Sequence, residues 1–560
     1  MTLLEDNRPR WELKAAKKRQ ECREKIPKEW LIPDILWETL PLPLEENKVN
    51  LIELDVIRRS NILTERELDI TQKYTVASLL AKLSTGEFTA FEVATAYCKR
   101  AAVAGQLTNC LTETLFTSAI ARAKELDSMR ESGQLKGPLH GLPISVKDCL
   151  HVAGTQATIG FTVYLDQPPS DENSCLVDML IDLGAILYVK TNVPQTLMTA
   201  DSENIIFGRT LNPWNTMLTG GGSSGGEGAL IALRGSPLGI GTDVAGSIRI
   251  PALCCGLYGF KPSASRIPDS KQQGYGTGGL RTIYGSVGPL ANDIDALEVL
   301  ARAVISANPG PAIYDPGVLD IPWREIGPMK PRLRLGFLIE DPAFPLHAPV
   351  RETLQEAASR LKDAGHEIIP LPAEECHIAY ALEVVWKFFS FDDSANKVVA
   401  EGGEPPIASK AVIARLAKEL GSGFVPGFEG MALIDRLSIL NIKRGEITKN
   451  WHTLWRKYDM DAVICPPAPS TAVEHDTYGL TPYTSFLNLL DYPACVIPFR
   501  RARRFPDAKR QKGQFVPDYN GRILEGAPCS IEVFTSRLRD EECLAISKVV
   551  DRCLHSDKAA

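Results

Sequence analysis

Residues 220–252, which read GGGSSGGEGALIALRGSPLGIGTDVAGSIRIPA, form the most unusual stretch of the sequence. Glycine at this density is tolerated mainly where a backbone turns tightly or presents N–H groups to something bound. Ser223 and Ser224 precede a helical run, so we expect their amides at the positive end of a helix. Residues 244–247 are small, follow a strand-like run and can aim consecutive N–H groups at one point, as an oxyanion hole requires.

A serine hydroxyl in this stretch needs a base before it can act as a nucleophile. None of the eight histidines lies there, and the nearest upstream, His140 and His151, we interpret as surface or packing residues. Between them the strand-like run ISVKD carries Lys147. A buried lysine loses its charge by desolvation and can then accept a proton. Serine and lysine together predict nucleophilic catalysis without histidine.

Short apolar runs and helical patterns alternate on both sides of this stretch. The spacing of apolar residues predicts three helices between residues 74 and 132, each ended by glycine, and another over residues 350–366. Strands are predicted at 142–148, 184–191, 237–243, 333–340, 461–466 and 493–499. This rhythm indicates an α/β protein with a largely buried sheet.

Two regions depart from the rhythm. Residues 1–70 are polar and interrupted by prolines, with one helix predicted over residues 11–24, so we expect an arm wrapped on a single domain of residues 71–560. Residues 375–455 are mostly helical and predict an insertion between sheet-forming parts. Within it, residues 407–420 place three apolar side chains on one face, which is typical of a surface helix packed on a core: Val412, Leu416 and Leu420.

Composition excludes several classes of protein. The 560 residues include 62 Lys or Arg and 69 Asp or Glu, and the resulting charge of −7 gives no general attraction to nucleic acid. No apolar run reaches the roughly 18 residues of a membrane span. The thirteen cysteines lack zinc-ligand spacing and indicate reduced thiols in a cytoplasmic protein. The basic residues 500–525 are interpreted as a solvated loop, and the first 20 residues contain no secretory signal.

Two other motifs compete with this interpretation. Residues 222–226 also match G-x-S-x-G, which would make Ser224 the nucleophile of an α/β-hydrolase. That motif needs a strand entering directly at Gly222, whereas NPWNTMLTGG precedes it. Residues 274–279 match the dinucleotide fingerprint G-x-G-x-x-G, but SASRIPDSKQQ before them is no strand, and a flexible loop is predicted instead.

The blocks SVKD, GGSSGGEG and TDVAGSIRIPA together resemble the amidase signature family. The likeness continues in GPLHGLPISVKD, FGRTLNPWN, YGFKPSASRIP and LNLLDYPACVIPF, and it spans nearly the whole chain from Ile26 onward. Among amidases the sequence is most similar to fungal acetamidases and general amidases, with fatty acid amide hydrolases next. The resemblance implies an amidase-signature α/β fold, in which helices sandwich a mixed central sheet and a helical insertion is present.

The resemblance also assigns a Ser-Ser-Lys catalytic triad. Ser247 would attack the amide carbonyl, while Ser223, placed between Ser247 and Lys147, would pass the proton to neutral Lys147 and later return one to the leaving amine. In this family the bridging serine is held through a cis peptide, which here would fall between Gly222 and Ser223.

Supporting residues follow from the same resemblance. Asp243 and Arg249 would pair beside the nucleophile, for which an ordinary ion pair is the simpler interpretation, and Ser224 would support the glycine-rich turn. Glu532 stands where relatives usually have Gln, a departure that the sequence leaves unexplained, and Ala245 stands where many have Gly. The expected oxyanion-hole donors are the backbone N–H groups of Val244, Ala245, Gly246 and Ser247.

The implied function is hydrolysis of a neutral carboxamide with a small or medium acyl or aryl group, giving an acid and ammonia or an amine through an acyl-enzyme. A lipid amide, a carbamate or an aryl amide as substrate remains an alternative. A transamidase subunit fits the acidic chain and its acetamidase-like blocks less well. We expect a small-molecule substrate, no cofactor or metal, no nucleic-acid partner and no membrane contact; a homodimer is left open.

Overall fold

The computed structural model describes residues 8–421, 423–425 and 427–556. The first seven residues of the predicted arm and the last four of the chain therefore lie outside the described residues. The helices in this part are α1 Arg10–Glu24, α2 Asp34–Trp37, α3 Val56–Arg59, α4 Glu65–Lys73, α5 Val76–Thr85, α6 Ala90–Thr108, α7 Phe116–Glu131, α8 Cys175–Asp182, α9 Gly225–Ala232, α10 Arg249–Cys255, α11 Ile294–Ile305, α12 Ala348–Asp363, α13 Ala373–Cys376, α14 Ile378–Phe389, α15 Ser394–Gly402, α16 Ala408–Leu420, α17 Leu433–Tyr458, α18 Pro482–Leu490, α19 Gly521–Leu524 and α20 Asp540–Leu554.

An 11-stranded mixed sheet forms the centre of the fold. The strands are β1 Leu111–Thr114, β2 Pro143–Lys147, β3 Ile186–Thr191, β4 Glu203–Asn204, β5 Gly208–Arg209, β6 Leu238–Asp243, β7 Tyr258–Lys261, β8 Ser286–Ala291, β9 Arg334–Leu338, β10 Glu367–Leu371, β11 Ala462–Cys465, β12 Ala494–Arg501 and β13 Pro528–Phe534. The order in the central sheet is β1-β3-β2-β6-β8-β7-β12-β13-β11-β9-β10. β2 pairs in parallel with β3 and β6, and β9 pairs in parallel with β10 and β11, while the remaining pairs are antiparallel. β4 and β5 form a separate small sheet.

The predicted α/β fold is confirmed. All six predicted strands are present, and the helices predicted between residues 74 and 132 correspond to α5, α6 and α7. One boundary was wrong: α6 runs through Gly105 to Thr108 and ends at Asn109, whose left-handed backbone stops the helix instead. Helix packing on the core overrides the helix-weakening effect of one glycine.

The N-terminal arm lies against the body through buried contacts. Lys18 of α1 is buried and pairs with Glu113 of the edge strand β1. Further along, Trp30 packs edge-on against Phe116 at 5.3 Å between ring centroids. The short helices α2 and α3 fit the proline-rich sequence, since proline disfavours long helices.

The helical insertion comprises α13 to α17 and lies between β10 and β11, as predicted. Two of its attachments to the body use Glu404, whose Oε1 accepts a hydrogen bond from Gln195 Nε2 at 2.9 Å and whose Oε2 accepts one from the Thr162 N–H at 2.8 Å. On α16, Leu416 is buried, while Val412 and Leu420 are half-buried and pack on the core, which confirms the predicted apolar face. Across the described residues, no helix is both long and apolar enough to cross a membrane.

The basic segment that follows β12 is mostly exposed and irregular, which confirms the predicted solvated loop. Acidic side chains form ion pairs with several basic side chains of this segment. Arg503 lies 3.3 Å from Glu352, and Lys509 lies 2.8 Å from Asp518. Pairing of this kind leaves less free positive charge for a polyanion.

Candidate active site

The site lies where two parallel strands end side by side. β2 ends at Lys147 and its neighbour β6 ends at Asp243, with Ser145 opposite Gly239 in the register. Because the carboxyl ends of parallel neighbours meet at one edge, the register brings Lys147 next to Thr242 although 95 residues separate them in sequence.

Lys147 is completely buried at this edge. Its Nζ lies 2.7 Å from Ser223 Oγ and 2.8 Å from Thr242 Oγ1. Burial lowers the pKa of Lys147 to about 8, although a negative charge on Cys149, Asp243 or Glu227 would oppose the shift. A substantial fraction of this lysine is therefore neutral near pH 8, as a proton acceptor must be.

Ser223 lies just before α9, where the chain makes a cis peptide between Gly222 and Ser223, as expected. The turn has no room for larger residues, since a Cβ on Gly222 would lie 2.4 Å from the Thr199 carbonyl oxygen. Ser224 is buried and donates its backbone N–H to the Ser247 carbonyl oxygen at 3.2 Å. This bond ties the turn that carries Ser223 to the loop that carries Ser247.

Ser247 lies in the turn between β6 and α10 and is 9% exposed, against 2% for Ser223. Together with Gly222, Val244 and Ala245 it lines a small cavity of about 30 Å³. Ser247 therefore faces a cavity that a substrate can enter, whereas Ser223 is more deeply buried and does not line that cavity. Of the two predicted serines, the outer one has the position suited to a nucleophile.

The loop over residues 244–247 departs from expectation at one of its four N–H groups. The Gly246 N–H donates to Asp243 Oδ1 at 2.8 Å and is not free for an oxyanion, so this assignment is corrected. In the described part of the chain, no hydrogen bond engages the N–H of Val244, Ala245 or Ser247. The side chain of Asp243 uses Gly246 to shape the turn, which leaves the other three as candidate donors.

Asp243 and Arg249 form the centre of a buried ionic cluster. Arg249 Nε and Nη2 each lie 3.0 Å from the Asp243 carboxylate, and Nη1 lies 3.1 Å from Glu532 Oε1. Nη2 also donates to Asn488 Oδ1 at 2.7 Å. Burial would raise the pKa of Asp243, but the Arg249 guanidinium holds it well below its usual range. The pair is thus more than an ordinary surface ion pair, because it fixes the Asp243 side chain that shapes the loop of residues 244–247, called the nucleophile loop after the predicted role of Ser247.

The departure at Glu532 now has a structural explanation. Its carboxyl is fully buried on β13 and supplies the acceptor for Arg249 Nη1 that a Gln side chain would also supply. Burial raises the pKa of Glu532 to about 7 in spite of the Arg249 charge. Glu532 therefore supports the cluster from behind and does not line the cavity.

Comparison with known proteins agrees with this geometry. The family model described as Amidase matches residues 92–544. The chain belongs to the amidase family. It is an amide hydrolase with the amidase-signature fold.

Several relatives resemble this amidase over almost their whole length. An amidase of Gibberella moniliformis is 38% identical over 96% of this chain and 98% of its own. An acetamidase of Emericella nidulans is 35% identical over 97% of this chain and 98% of its own. The solved structure of a fatty acid amide hydrolase superposes with a TM-score of 0.85 at 29% identity and covers 97% of this chain and 95% of that one.

Several residues of this amidase that contact the site escaped the sequence analysis. Thr242, Thr484 and Asn488 contact Lys147 or Arg249, but the last two lie 235 and 239 residues from Arg249 and follow no motif spacing. Glu227 lies inside the quoted glycine-rich stretch, and the available signal was a charged residue among the glycines of GGEG. The structure shows that this residue is buried. Contacts between distant segments cannot be inferred from spacing alone.

The residues and motifs that suggested other kinds of chemistry have structural roles in the amidase. His140 is buried, and its Nδ1 accepts the Lys136 N–H at 3.0 Å, as a packing histidine does. Ser224 is 0% exposed and follows a turn instead of a strand, unlike the nucleophile of an α/β-hydrolase. Residues 274–279 form a loop, as predicted.

The helical insertion contributes one wall of the cavity beside Ser247. Trp386 and Phe389 of α14 and Ile413 of α16 line it opposite Leu197 and Met198 of the body. The insertion and the loop that carries Ser247 therefore line the same cavity. Of the described side chains that line this cavity, none carries a charge.

Proposed function

We propose that this amidase hydrolyses a neutral carboxamide to the acid and ammonia through an acyl-enzyme on Ser247. The observation that carries the proposal is the 2.7 Å contact between Lys147 Nζ and Ser223 Oγ, at a buried turn that the Ser224 N–H joins to the Ser247 carbonyl oxygen. A lysine and a serine at this distance can exchange a proton without rearrangement.

In the proposed mechanism, neutral Lys147 takes the proton of Ser223 as Ser223 takes the proton of Ser247. The Ser247 Oγ attacks the amide carbonyl carbon, and the negative charge that develops on the carbonyl oxygen meets the N–H groups of the nucleophile loop. Each such donor is typically worth about 3 to 4 kcal/mol. Ser223 then returns a proton to the leaving nitrogen, the C–N bond breaks, and water repeats the sequence on the acyl-enzyme.

The uncharged cavity supports an acyl group that is neutral and apolar. A carboxylate or ammonium on the acyl part would lose its hydration with no opposite charge nearby, at a cost of several kcal/mol. The aromatic wall of Trp386 and Phe389 suits a short alkyl chain or an aryl ring. We therefore assign the small or medium acyl amides as the main substrate class.

A lipid amide is the second candidate. Four large apolar side chains of the insertion are more than half exposed, and an amphiphilic substrate would approach across such a surface: Phe424, Leu433, Ile434 and Ile442. The cavity of about 30 Å³ has to widen for any acyl group larger than acetyl, and it has to widen far more for a long acyl chain than for a short chain or an aryl ring.

Two experiments test these assignments. A fluorophosphonate should modify Ser247 stoichiometrically, identified by peptide mass mapping, and labelling elsewhere with activity lost would refute the acyl-enzyme assignment. A kcat/KM series over acetamide, hexanamide, benzamide, an anilide, ethyl carbamate and oleamide should favour hexanamide or benzamide. Preference for oleamide by roughly a hundredfold would exceed the contribution of one or two methylene contacts and favour the lipid amide.

A further inference from the structure

Glu227 is a completely buried carboxyl that the proposed mechanism does not use. It lies on α9, one turn after Ser223, and points toward the sheet beneath the site. Its Oε1 lies 2.9 Å from Thr191 Oγ1, and its Oε2 lies 2.6 Å from Ser145 Oγ. Ser145 is on the same strand as Lys147, two residues before it, so its side chain lies on the same face of β2.

The contacts around Ser145 form a chain of oxygen atoms. Glu227 Oε2 contacts Ser145 Oγ at 2.6 Å, Ser145 Oγ contacts Ser236 Oγ at 2.9 Å, and Ser236 Oγ contacts the Leu238 carbonyl oxygen at 2.9 Å. Each contact needs one hydrogen, because two oxygen lone pairs at these distances repel. Three contacts therefore need three hydrogens.

The two serine hydroxyls supply only two of them, and a carbonyl oxygen supplies none. A carboxylate at Glu227 would leave one contact without a hydrogen. A carboxylic acid completes the chain, since Glu227 donates to Ser145, Ser145 donates to Ser236, and Ser236 donates to the Leu238 carbonyl. Thr191 then donates to the remaining carboxyl oxygen.

We propose that this chain holds Glu227 as a neutral carboxylic acid and that Glu227 thereby keeps Lys147 in the uncharged form that accepts a proton. Glu227 acts through Lys147 and is a positioning residue. The part of this inference that concerns the base rests on the proposed function. The protonation of Glu227 itself rests on the hydrogen count.

The titratable neighbours support a specific coupling between the two side chains. Burial raises the pKa of Glu227 to about 7 even where Ser145 and Thr191 donate to its carboxylate and the Lys147 ammonium opposes the shift, and donation from Glu227 to Ser145 raises this pKa further. Burial lowers the pKa of Lys147, which a Glu227 carboxylate opposes. Each neutral form thus favours the other. Among the described residues, the titratable groups on the elements packed around Glu227 and Lys147 include Lys147 itself, Cys149 just after β2, Tyr188 on β3, Cys110 before β1, Asp243 on β6, Cys98 on α6 and Cys255 on α10.

Of these groups, Lys147 is the one whose charge changes near neutral pH. Burial raises the pKa of Tyr188 and of the four thiols, so these groups remain neutral: Cys149, Cys110, Cys98 and Cys255. Asp243 stays ionised beside Arg249. A change in the charge of Glu227 should therefore appear as a shift in the titration of Lys147.

Three variants of the full chain test the inference through the pH dependence of kcat/KM. Glu227→Gln mimics the neutral acid, with its amide donating to Ser145 and accepting from Thr191, and should keep the midpoint of the acid limb. Ser236→Ala removes the end of the chain, so that Ser145 can donate to a carboxylate. In this variant the midpoint of the acid limb of the kcat/KM profile should therefore rise by about one pH unit. The double variant should return to the midpoint of Glu227→Gln.

A downward shift of about one unit in Glu227→Gln would mean that the native residue is charged, and would overturn the inference. An unshifted Ser236→Ala limb would overturn it as well. Infrared spectroscopy provides a reading without catalysis: near pH 6 the native protein should show a protonated carboxyl C=O stretch that Glu227→Gln lacks. If this band is present but Lys147→Ala remains fully active, the proposed function fails while the protonation of Glu227 stands.

Discussion

The nucleophile loop and the helical insertion face the same cavity, but their construction differs. The loop is fixed by polar contacts, with the Arg249 guanidinium alone making five hydrogen bonds to Asp243, Glu532, Thr484 and Asn488. The insertion meets the cavity with apolar side chains and leaves others exposed, among them Ile434 at 69%.

This difference assigns the reaction rate to the loop and the choice of amide substrate to the insertion. Hydrogen bonds are directional, so a cluster such as that around Arg249 permits few arrangements of the reacting groups. Apolar packing tolerates changes of shape at a modest cost. We therefore expect substitutions in the loop to reduce the rate for every amide, and substitutions in the insertion to change which amide is preferred.

The largest effect is expected for Ser247→Ala. Removal of the nucleophile should lower kcat by about 10⁴-fold or more for all amides, since triad members act as a unit. Steady-state kinetics and fluorophosphonate labelling would measure this loss. Ser224→Ala is the matched control, because its structural contact uses the backbone N–H, and it should retain most activity. The opposite pattern would indicate an α/β-hydrolase mechanism.

The next effect is that of Lys147→Ala, which should lower kcat by about 10³-fold near pH 8. In the native enzyme the rate should rise with pH and level off above about 8, because below its pKa the lysine is an ammonium that cannot accept a proton. A pH profile of kcat/KM measures this. Lys190→Met, at another buried lysine on the neighbouring strand, is the control. Undiminished kcat in Lys147→Ala would refute the assigned base.

A smaller effect is expected on the insertion side. Ile413→Ala enlarges the cavity, so kcat/KM for benzamide relative to acetamide should rise about tenfold, with the pH profile unchanged. Val412→Ala, on the same helix but outside the cavity lining, should leave the ratio unchanged. An equal loss for both substrates in Ile413→Ala would contradict the separation of the two regions.

The smallest effect on activity is expected for Glu532→Gln, which keeps an acceptor for Arg249. The free energy of unfolding responds more strongly to this substitution than activity does. The raised pKa of Glu532 means that the folded protein binds this proton more tightly than the unfolded chain, so stability is lost as pH rises toward and through about 7. Urea unfolding at pH 6 and 8.5 should show this loss reduced in Glu532→Gln by on the order of 1–3 kcal/mol. Glu352→Gln, at a surface ion pair, should show no such change.

The sequence allowed the fold class, six of the strands and the residues of the glycine-rich stretch to be predicted. β7, β8 and β13 were missed because glycine, proline or a charged residue interrupts the apolar pattern that identifies a buried strand. The role of Gly246 was wrong because the conformation of the Asp243 side chain depends on Arg249 of α10 and Asn488 of α18, two elements far apart in sequence. Sequence patterns indicate the local conformational preference of a segment, whereas these contacts join residues that are distant in sequence and therefore cannot be predicted from such patterns.

The order in which the chain is synthesised gives the Arg249 cluster a further consequence. Arg249 leaves the ribosome well before its partners Thr484, Asn488 and Glu532, the last of which lies 283 residues further along. Until α18 has been made, the guanidinium has only Asp243 to bind, and the contact with Glu532 waits for β13. A nascent chain therefore carries Ser247 without a finished site, and hydrolytic competence arrives only after β13 has been translated.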